Sequence, residues 1–420
     1  MRMVLNYLAA AESAKTGVGH YTAELLRCLR QQAGDDVIDT FPGPWGQRMH
    51  AAWARFRRTR MPTPGSSLAG PSRRTLRQRL FGGVRVCGRA ARRVLFRQLC
   101  RWRKYDLYHE PNFLPLPSDC PTVATLHDLS VLLHPEWHPA ERVVQFEKHF
   151  RRGLSQCSHF FTVSEFVRWE VIQTLGLSPS RVTRTYNGVR PSFVPLPPAV
   201  VSVMLRRLNL PPRYLLYVGT IEPRKNILTL LRAYCALPER LRSSWPLLLV
   251  GGWGWNASAV ADFLESGGRQ RGVLYRPYVP EESLSALYNG ARALVYPSLY
   301  EGFGLPPVEM LACGGAVLAS TAGALAETVG QKAHLIEPLD LDGWRRAMQR
   351  VVEEDDWWQA LRRGAVESVR LFTWEQCAAD TLRIYRCICG EKPPSDITQQ
   401  DASVAATGPL TDQRPRRPAA

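Results

Sequence analysis

Two stretches of this chain combine residue types that could do chemistry. The first is Gly219-Thr-Ile-Glu-Pro-Arg-Lys-Asn226, which leads into a helix. Arg224 and Lys225 would sit at that helix's positive end, where the dipole disfavours cations and an anionic ligand would relieve the conflict. A diphosphate suits the position, since a guanidinium grips it bidentately, an ammonium adds a point charge and free helix N–H groups complete the cradle. The alternative is an exposed pair partly neutralised by Glu222.

The second stretch is Tyr296-Pro-Ser-Leu-Tyr-Glu301-Gly-Phe-Gly-Leu-Pro-Pro-Val-Glu309. Gly302 and Gly304 let the backbone approach a ligand, and Pro306 or Pro307 suits the first turn of a helix that carries Glu309. Glu309 could accept both hydroxyls of a ribose and Glu301 a sugar hydroxyl. The alternative has Glu309 complementing the helix dipole and Glu301 solvated.

Such loops need a scaffold that delivers them to one place, and open parallel sheets do so beyond the carboxyl ends of their strands. Short apolar runs at residues 3–8, 106–109, 122–127 and 160–163 alternate with helical patterns at 20–30, 139–156 and 165–175. A second such rhythm begins at 214–219 and continues through 247–250, 293–296 and 316–319. The rhythm is that of βαβ units, so the expected fold is α/β with two Rossmann-like domains facing across a cleft. The first domain spans residues 1–195 and carries a basic insertion at 48–104; the second spans 212–372. Helical patterns at 199–208, 341–354, 358–371 and 374–388 surround or follow the second rhythm, and 391–420 reads as a disordered tail.

Composition agrees with a folded two-domain chain, because 420 residues exceed one ordinary core and 45% hydrophobic content lies clear of the disordered range. The ten cysteines are scattered without C-x-x-C spacing, which reads as reduced thiols in a reducing compartment. The N-terminal apolar run is short and broken by Asn6, so it reads as a first strand and not a signal peptide. No apolar run reaches the roughly twenty residues of a membrane-spanning helix.

The net charge of +17 is local. Residues 48–104 hold seventeen Arg or Lys and no acid, so the rest of the chain is balanced. Residues 73–102 mix these arginines with Leu76, Leu80, Phe81, Val84, Val94, Leu95, Phe96, Leu99 and Trp102, although Gly82, Gly83 and Gly88 interrupt them. That mixture suits an interfacial amphipathic helix on an anionic membrane; the alternatives are a solvated insertion or a nucleic-acid-binding segment. The nucleic-acid reading explains this segment and nothing else.

Taken together, the two motifs resemble those of glycosyltransferase family 4, the retaining GT-B enzymes, and mannosyltransferase-like members most of all. The resemblance covers most of residues 1–20 and 105–390. It extends to Gly17-Val-Gly-His-Tyr21, Tyr105-Asp-Leu-Tyr-His-Glu-Pro-Asn-Phe113, His127-Asp128, Val163-Ser-Glu165, Tyr186-Asn-Gly-Val189 and Phe372-Thr-Trp-Glu375. It implies that Arg224 and Lys225 bind the donor diphosphate, Glu309 the ribose, and Glu301 with the Gly302-Phe303-Gly304-Leu305 backbone the transferred hexose and phosphate. Gly17 and Gly19 would admit the diphosphate from the opposite wall, and His127 would lie on the C6 side of the sugar. Asp128, Ser164, Asn187, Gly188 and Gly219 join as further cleft residues, and the last helix would return to the first domain.

Two positions depart from the family's pattern, Ala316 in Gly314-Gly-Ala-Val317 and Ala326 before Glu327, where proline is common. Asp340-Leu-Asp342 reads as a helix cap and not a metal ligand pair, and the resemblance implies neither an essential metal nor another cofactor. The implied reaction is transfer with retention, in which the departing phosphate helps deprotonate the acceptor on the same face of the sugar. The implied donor is GDP-mannose first and UDP-glucose second. The implied acceptor is a glycan or lipid-linked acceptor in the synthesis of a cell-surface polysaccharide such as lipopolysaccharide, and the basic insertion 48–104 would hold the enzyme at the inner face of the cytoplasmic membrane. An inactive scaffold of the same fold is the other possibility, and the intact Arg224, Lys225, Glu301 and Glu309 argue against it.

Overall fold

The computed structural model describes residues 1–11, 15–44, 46–48, 91–277 and 279–390. Two six-stranded sheets, parallel throughout, organise them. In the first, β1 (Arg2–Asn6), β2 (Val37–Phe41), β3 (Leu107–Glu110), β4 (Thr122–Leu126), β5 (Cys157–Thr162) and β6 (Val182–Arg184) lie in the order β2-β1-β3-β4-β5-β6. In the second, β7 (Leu215–Val218), β8 (Leu247–Val250), β9 (Val273–Arg276), β10 (Ala293–Tyr296), β11 (Val317–Ser320) and β12 (Ala333–Ile336) lie in the order β12-β11-β10-β7-β8-β9.

Helices cover both faces of such sheets, so their inner strands must be apolar throughout, and β8, β10 and β11 are buried at every residue. The chain steps outward one way from β7 and the other way from β10, so the loops after these two neighbouring strands part and leave a crevice. The loops after β1 and β3 part in the same manner. Both candidate motifs lie in the loops after β7 and β10.

Four strands go beyond the sequence expectation: β2, β6, β9 and β12. Each is an edge strand, half-exposed and polar in part, as in Val37-Ile-Asp-Thr-Phe41 and Ala333-His-Leu-Ile336. The single helix expected at 358–371 is two, Asp355–Arg362 and Ala365–Ser368, broken at Gly364 with φ 70°.

The last helix, Trp374–Ile388, leaves the second domain and packs on the helix Gly17–Gln32 of the first. Thr373 caps it by accepting from Gln376 N at 3.1 Å, Arg27 pairs with Glu375 at 3.3 Å and Arg386 with Asp36 at 3.3 Å. The chain crosses itself there so closely that a Cβ on Gly188 would lie 2.2 Å from Trp374 N.

Of the basic insertion, residues 49–90 lie outside the described residues, as does the expected tail at 391–420. Residues 91–103 are helical. Phe96 and Cys100 bury against Phe41 and Tyr108, whereas Val94, Leu95 and Trp102 stand 57%, 60% and 75% exposed. The nine described cysteines are free thiols. Asp340 accepts from Gly343 N at 2.8 Å, which makes it the cap of the helix Leu341–Glu353.

Candidate active site

The loop after β7 begins at Gly219 and passes through a 3-10 turn, Pro223–Lys225, before the helix Ile227–Cys235. Arg224 and Lys225 therefore stand one turn ahead of that helix and not at its first residues, a correction to the sequence expectation. Asn226, in the left-handed region at φ 55°, ends the turn. Its Nδ2 donates to the carbonyls of Pro297 at 3.0 Å and Pro338 at 2.7 Å, which fastens the turn to the loops after β10 and β12.

Neither cation is an exposed side chain. Arg224 donates to Glu222 Oε1 at 3.0 Å, to the Tyr300 carbonyl at 3.0 Å and to Glu301 Oε2 at 3.2 Å. Lys225 Nζ donates to Tyr296 Oη at 3.1 Å and to the other oxygen of Glu301. Glu301 is 5% exposed, so the solvated reading fails as well. Burial alone would raise its pKa, but Lys225 and Arg224 outweigh that and hold it at about 2. Burial and the neighbouring Arg224 push the Lys225 pKa down. The result is a preorganised cluster of two cations around one carboxylate at the β7/β10 crevice.

Gly302 and Gly304 have separate reasons to be glycine. A Cβ at Gly302 would lie 1.8 Å from the His127 carbonyl oxygen, across the domain boundary. Gly304 has φ 86°, and its Cβ would lie 2.5 Å from Leu325 Cδ2. Phe303, between them, is buried. The helix Leu305–Ala312 follows, with Pro306 in its first turn.

Glu309 is the fifth residue of that helix, beyond the first turn where a carboxylate complements the dipole, and it is 4% exposed. Arg190 Nη2 donates to its Oε1 at 2.7 Å and Tyr288 Oη to its Oε2 at 2.9 Å. The sequence reading missed Arg190. It lies in the linker four residues beyond Tyr186, and nothing in its local pattern distinguishes it from a surface arginine.

Across the cleft, Gly17 opens its helix, is exposed, and would place a Cβ 3.9 Å from Leu305 Cδ1, so two helix N-termini face each other there. Gly19 is buried, and its Cβ would lie 2.6 Å from the Ala9 carbonyl, so its smallness seats the helix on the β1 loop of its own domain. His127 follows β4. Its Nε2 donates to the Pro111 carbonyl at 2.7 Å, which assigns the tautomer, and burial lowers its pKa. Asp128 accepts from Ser130 N at 2.9 Å and Ser130 Oγ at 2.8 Å; burial would raise its pKa, yet Arg224 and these hydrogen bonds bring it below the usual value.

Ser164 accepts from Val167 N at 3.1 Å as the cap of the helix Glu165–Leu175, and donates to the Gly302 carbonyl at 2.7 Å. Asn187 is buried, and its Oδ1 has no partner among the described residues. The two domains meet through further groups that sequence reasoning did not single out. Glu327 accepts from Glu165 N at 2.7 Å and Phe166 N at 2.9 Å, satisfying the open end of a helix in the other domain. Tyr300 Oη accepts from Leu129 N at 3.1 Å and donates to Glu170, and Trp255 Nε1 donates to the Trp137 carbonyl at 2.7 Å.

Comparison with known proteins agrees with this geometry. Residues 15–193 match Glycosyltransferase Family 4 and residues 206–367 match Glycosyl transferases group 1. The chain is 36% identical over 296 residues to O-antigen chain mannosyltransferase B of Escherichia coli, covering 70% of this chain and 77% of that protein. It is 28% identical over 297 residues to the serotype-specific mannosyltransferase WbdA of Escherichia coli, covering 68% of this chain and 36% of that longer protein. Among solved structures, WaaG, a glycosyltransferase involved in lipopolysaccharide biosynthesis, aligns over 93% of this chain and 100% of its own with a TM-score of 0.67. At 14% identity that likeness bears on the fold alone, and the fold is GT-B. Both motifs lie in the second matched region and Gly17 and Gly19 in the first, and with a relative this similar over most of its length the chain belongs to glycosyltransferase family 4 and is a glycosyltransferase.

Proposed function

We propose that the chain is a retaining hexosyltransferase that moves mannose from GDP-mannose to a glycan or lipid-linked acceptor in cell-surface polysaccharide synthesis. The observation that carries this reading is the Arg224–Lys225–Glu301 cluster at the β7/β10 crevice. Its cations are held in place by Glu222, Tyr296, Glu301 and the Tyr300 carbonyl, so they can take up the charge that develops on a departing diphosphate without reorganising. The facing N-termini at Gly17 and Leu305 add partial positive charge from both walls. Glu301, ionised well below neutral pH, remains an acceptor for a sugar hydroxyl. His127, neutral with its Nε2 proton committed to Pro111, keeps an Nδ1 lone pair that can accept another. Closure through Tyr300, Ser164 and Glu327 would exclude the water that otherwise hydrolyses the donor.

Mannose is favoured over glucose because both Escherichia coli relatives are named mannosyltransferases. Turnover of a nucleotide-sugar panel, with the product's anomeric configuration read by NMR, tests the reading. GDP-mannose should be the preferred donor, with UDP-glucose behind it, and the product should keep the donor's configuration. An inverted product would defeat the retaining mechanism, and indifference to every nucleotide sugar would defeat the donor class.

The same reading puts the enzyme at the inner face of the cytoplasmic membrane, with its basic insertion on anionic lipid. Among the described part of that insertion, Leu95 and Trp102 are seven residues apart on one helix and Val94 is eight from Trp102, so the three share an exposed face. Arg93, Arg97, Arg101 and Arg103 surround it. Each basic residue near an anionic surface contributes on the order of 1 kcal/mol. Arg97 and Arg101 contribute less because both pair with Asp119.

A further inference from the structure

Arg190 stands in the linker between the two sheets, and its side chain is 7% exposed. It reaches into both domains. Nη2 donates to Glu309 at 2.7 Å, while Nη1 donates to Glu281 Oε2 at 2.7 Å and to His20 Nδ1 at 3.2 Å. His20 belongs to the helix that begins at Gly17; burial and the adjacent Arg190 lower its pKa to about 4, so at neutral pH the ring is uncharged and its Nδ1 accepts.

An ionised carboxylate offers about four lone-pair sites. Arg190 takes one on Oε1 of Glu309 and Tyr288 takes one on Oε2, so each oxygen keeps a second site and the carboxylate plane is fixed from two sides. A pair of acceptor sites side by side matches the two hydroxyls of a vicinal diol. Without Arg190 this buried carboxylate would lose its ionic partner and one of the two hydrogen bonds that fix its plane. Glu281 on the other side of the guanidinium, itself accepting from Arg190, keeps the fork from rotating away.

We propose that Arg190 is a positioning residue that sets Glu309 as a two-point acceptor for the 2′- and 3′-hydroxyls of the donor's ribose, and through His20 links that recognition to the seating of the first domain. This rests on the reading of Glu309 as the ribose residue.

The test compares GDP with 2′-deoxy-GDP, or UDP with 2′-deoxy-UDP if the uridine pair binds better, by calorimetry on the full chain. Wild type should prefer the ribonucleotide by at least about tenfold. Glu309→Gln should bring that preference near one, and retention of the wild-type ratio there overturns the ribose reading and the proposal with it. Arg190→Gln should bring the ratio equally low while 2′-deoxynucleotide binding stays within about threefold of wild type, since the diphosphate contacts lie elsewhere. A wild-type ratio in Arg190→Gln beside a lost ratio in Glu309→Gln overturns the positioning role and leaves the ribose reading standing. If Arg190→Gln does not fold, Arg190→Lys decides, because it keeps the charge without the fork. It should show an intermediate ratio, and a wild-type ratio overturns the proposal.

Discussion

The carbonyl oxygen of His127 in the first domain lies 1.8 Å from where a Cβ on Gly302 in the second would stand. The two residues can meet only because position 302 has no side chain. Gly302→Ala therefore opposes closure without disturbing either sheet. We expect kcat/KM to fall by at least about tenfold. The melting temperature should move by less than about 4 °C, the shift of roughly 1 kcal/mol in a domain of this size. Normal kinetics would mean that the domains react in a wider arrangement.

Lys225→Ala and Arg224→Ala should each lower turnover by about 10²-fold or more, because a contact to the leaving group acts mainly in the transition state. They should also lower stability, since each leaves Glu301 short of a partner, and breaking a buried pair costs roughly 3–5 kcal/mol. Lys225→Ala with Glu301→Gln should recover most of the melting temperature and none of the activity. Recovery of both would reduce the cluster to a structural ion pair.

Glu309→Gln should raise the apparent donor KM with a loss of roughly 1–3 kcal/mol in kcat/KM. Steady-state kinetics with the donor varied at fixed acceptor measures it. An unchanged KM and kcat would leave Glu309 with only its structural partners, Arg190 and Tyr288.

Glu170 has its pKa raised from 4.5 to about 7 by burial against the other domain, with the Tyr300 hydrogen bond opposing and Asp128 adding to the rise. Between these values the folded chain keeps a proton that the unfolded chain has released, so its stability contribution is complete below about 4.5 and is lost as pH climbs through 7. The full effect is about 3 kcal/mol. Glu110, also raised to about 7 by burial, acts in the same direction. Glu170→Gln keeps an oxygen to accept from Tyr300, so it should melt higher than wild type at pH 8 and flatten the decline between pH 5 and 8. A parallel decline in both proteins would remove Glu170 from the pH response.

Co-sedimentation with phosphatidylglycerol vesicles should exceed that with neutral vesicles. It should fall in a variant with glutamine at Arg89, Arg92, Arg93, Arg97, Arg101 and Arg103, and separately in one with serine at Val94, Leu95 and Trp102. Equal, weak sedimentation in every case would refute membrane docking and leave the transferase assignment intact.

The inner frame is legible in the residue types alone. Strands β7, β8, β10 and β11 are apolar at nearly every residue because helices cover both faces, so each shows as an unbroken run; the loops after β7 and β10 show by their glycines, prolines and paired charges. The edge strands β2, β6, β9 and β12 did not show, because a strand with one neighbour and a half-wet face can carry Asp39, Arg184, Arg276 or His334 and needs its partner to define it. Arg224, Lys225, Glu301 and Glu309 were legible as residues, but not as a buried cluster and a buried pair. A charge's partner is set by which loops the sheet order brings together, and the spacing from Lys225 to Glu301 or from Arg190 to Glu309 carries no trace of it. For the same reason the pairing of Glu327 with the open end of the helix Glu165–Leu175, and of Tyr300 with Glu170, emerges only once the domains are packed. Both contacts join residues of different sheets that lie far apart along the chain.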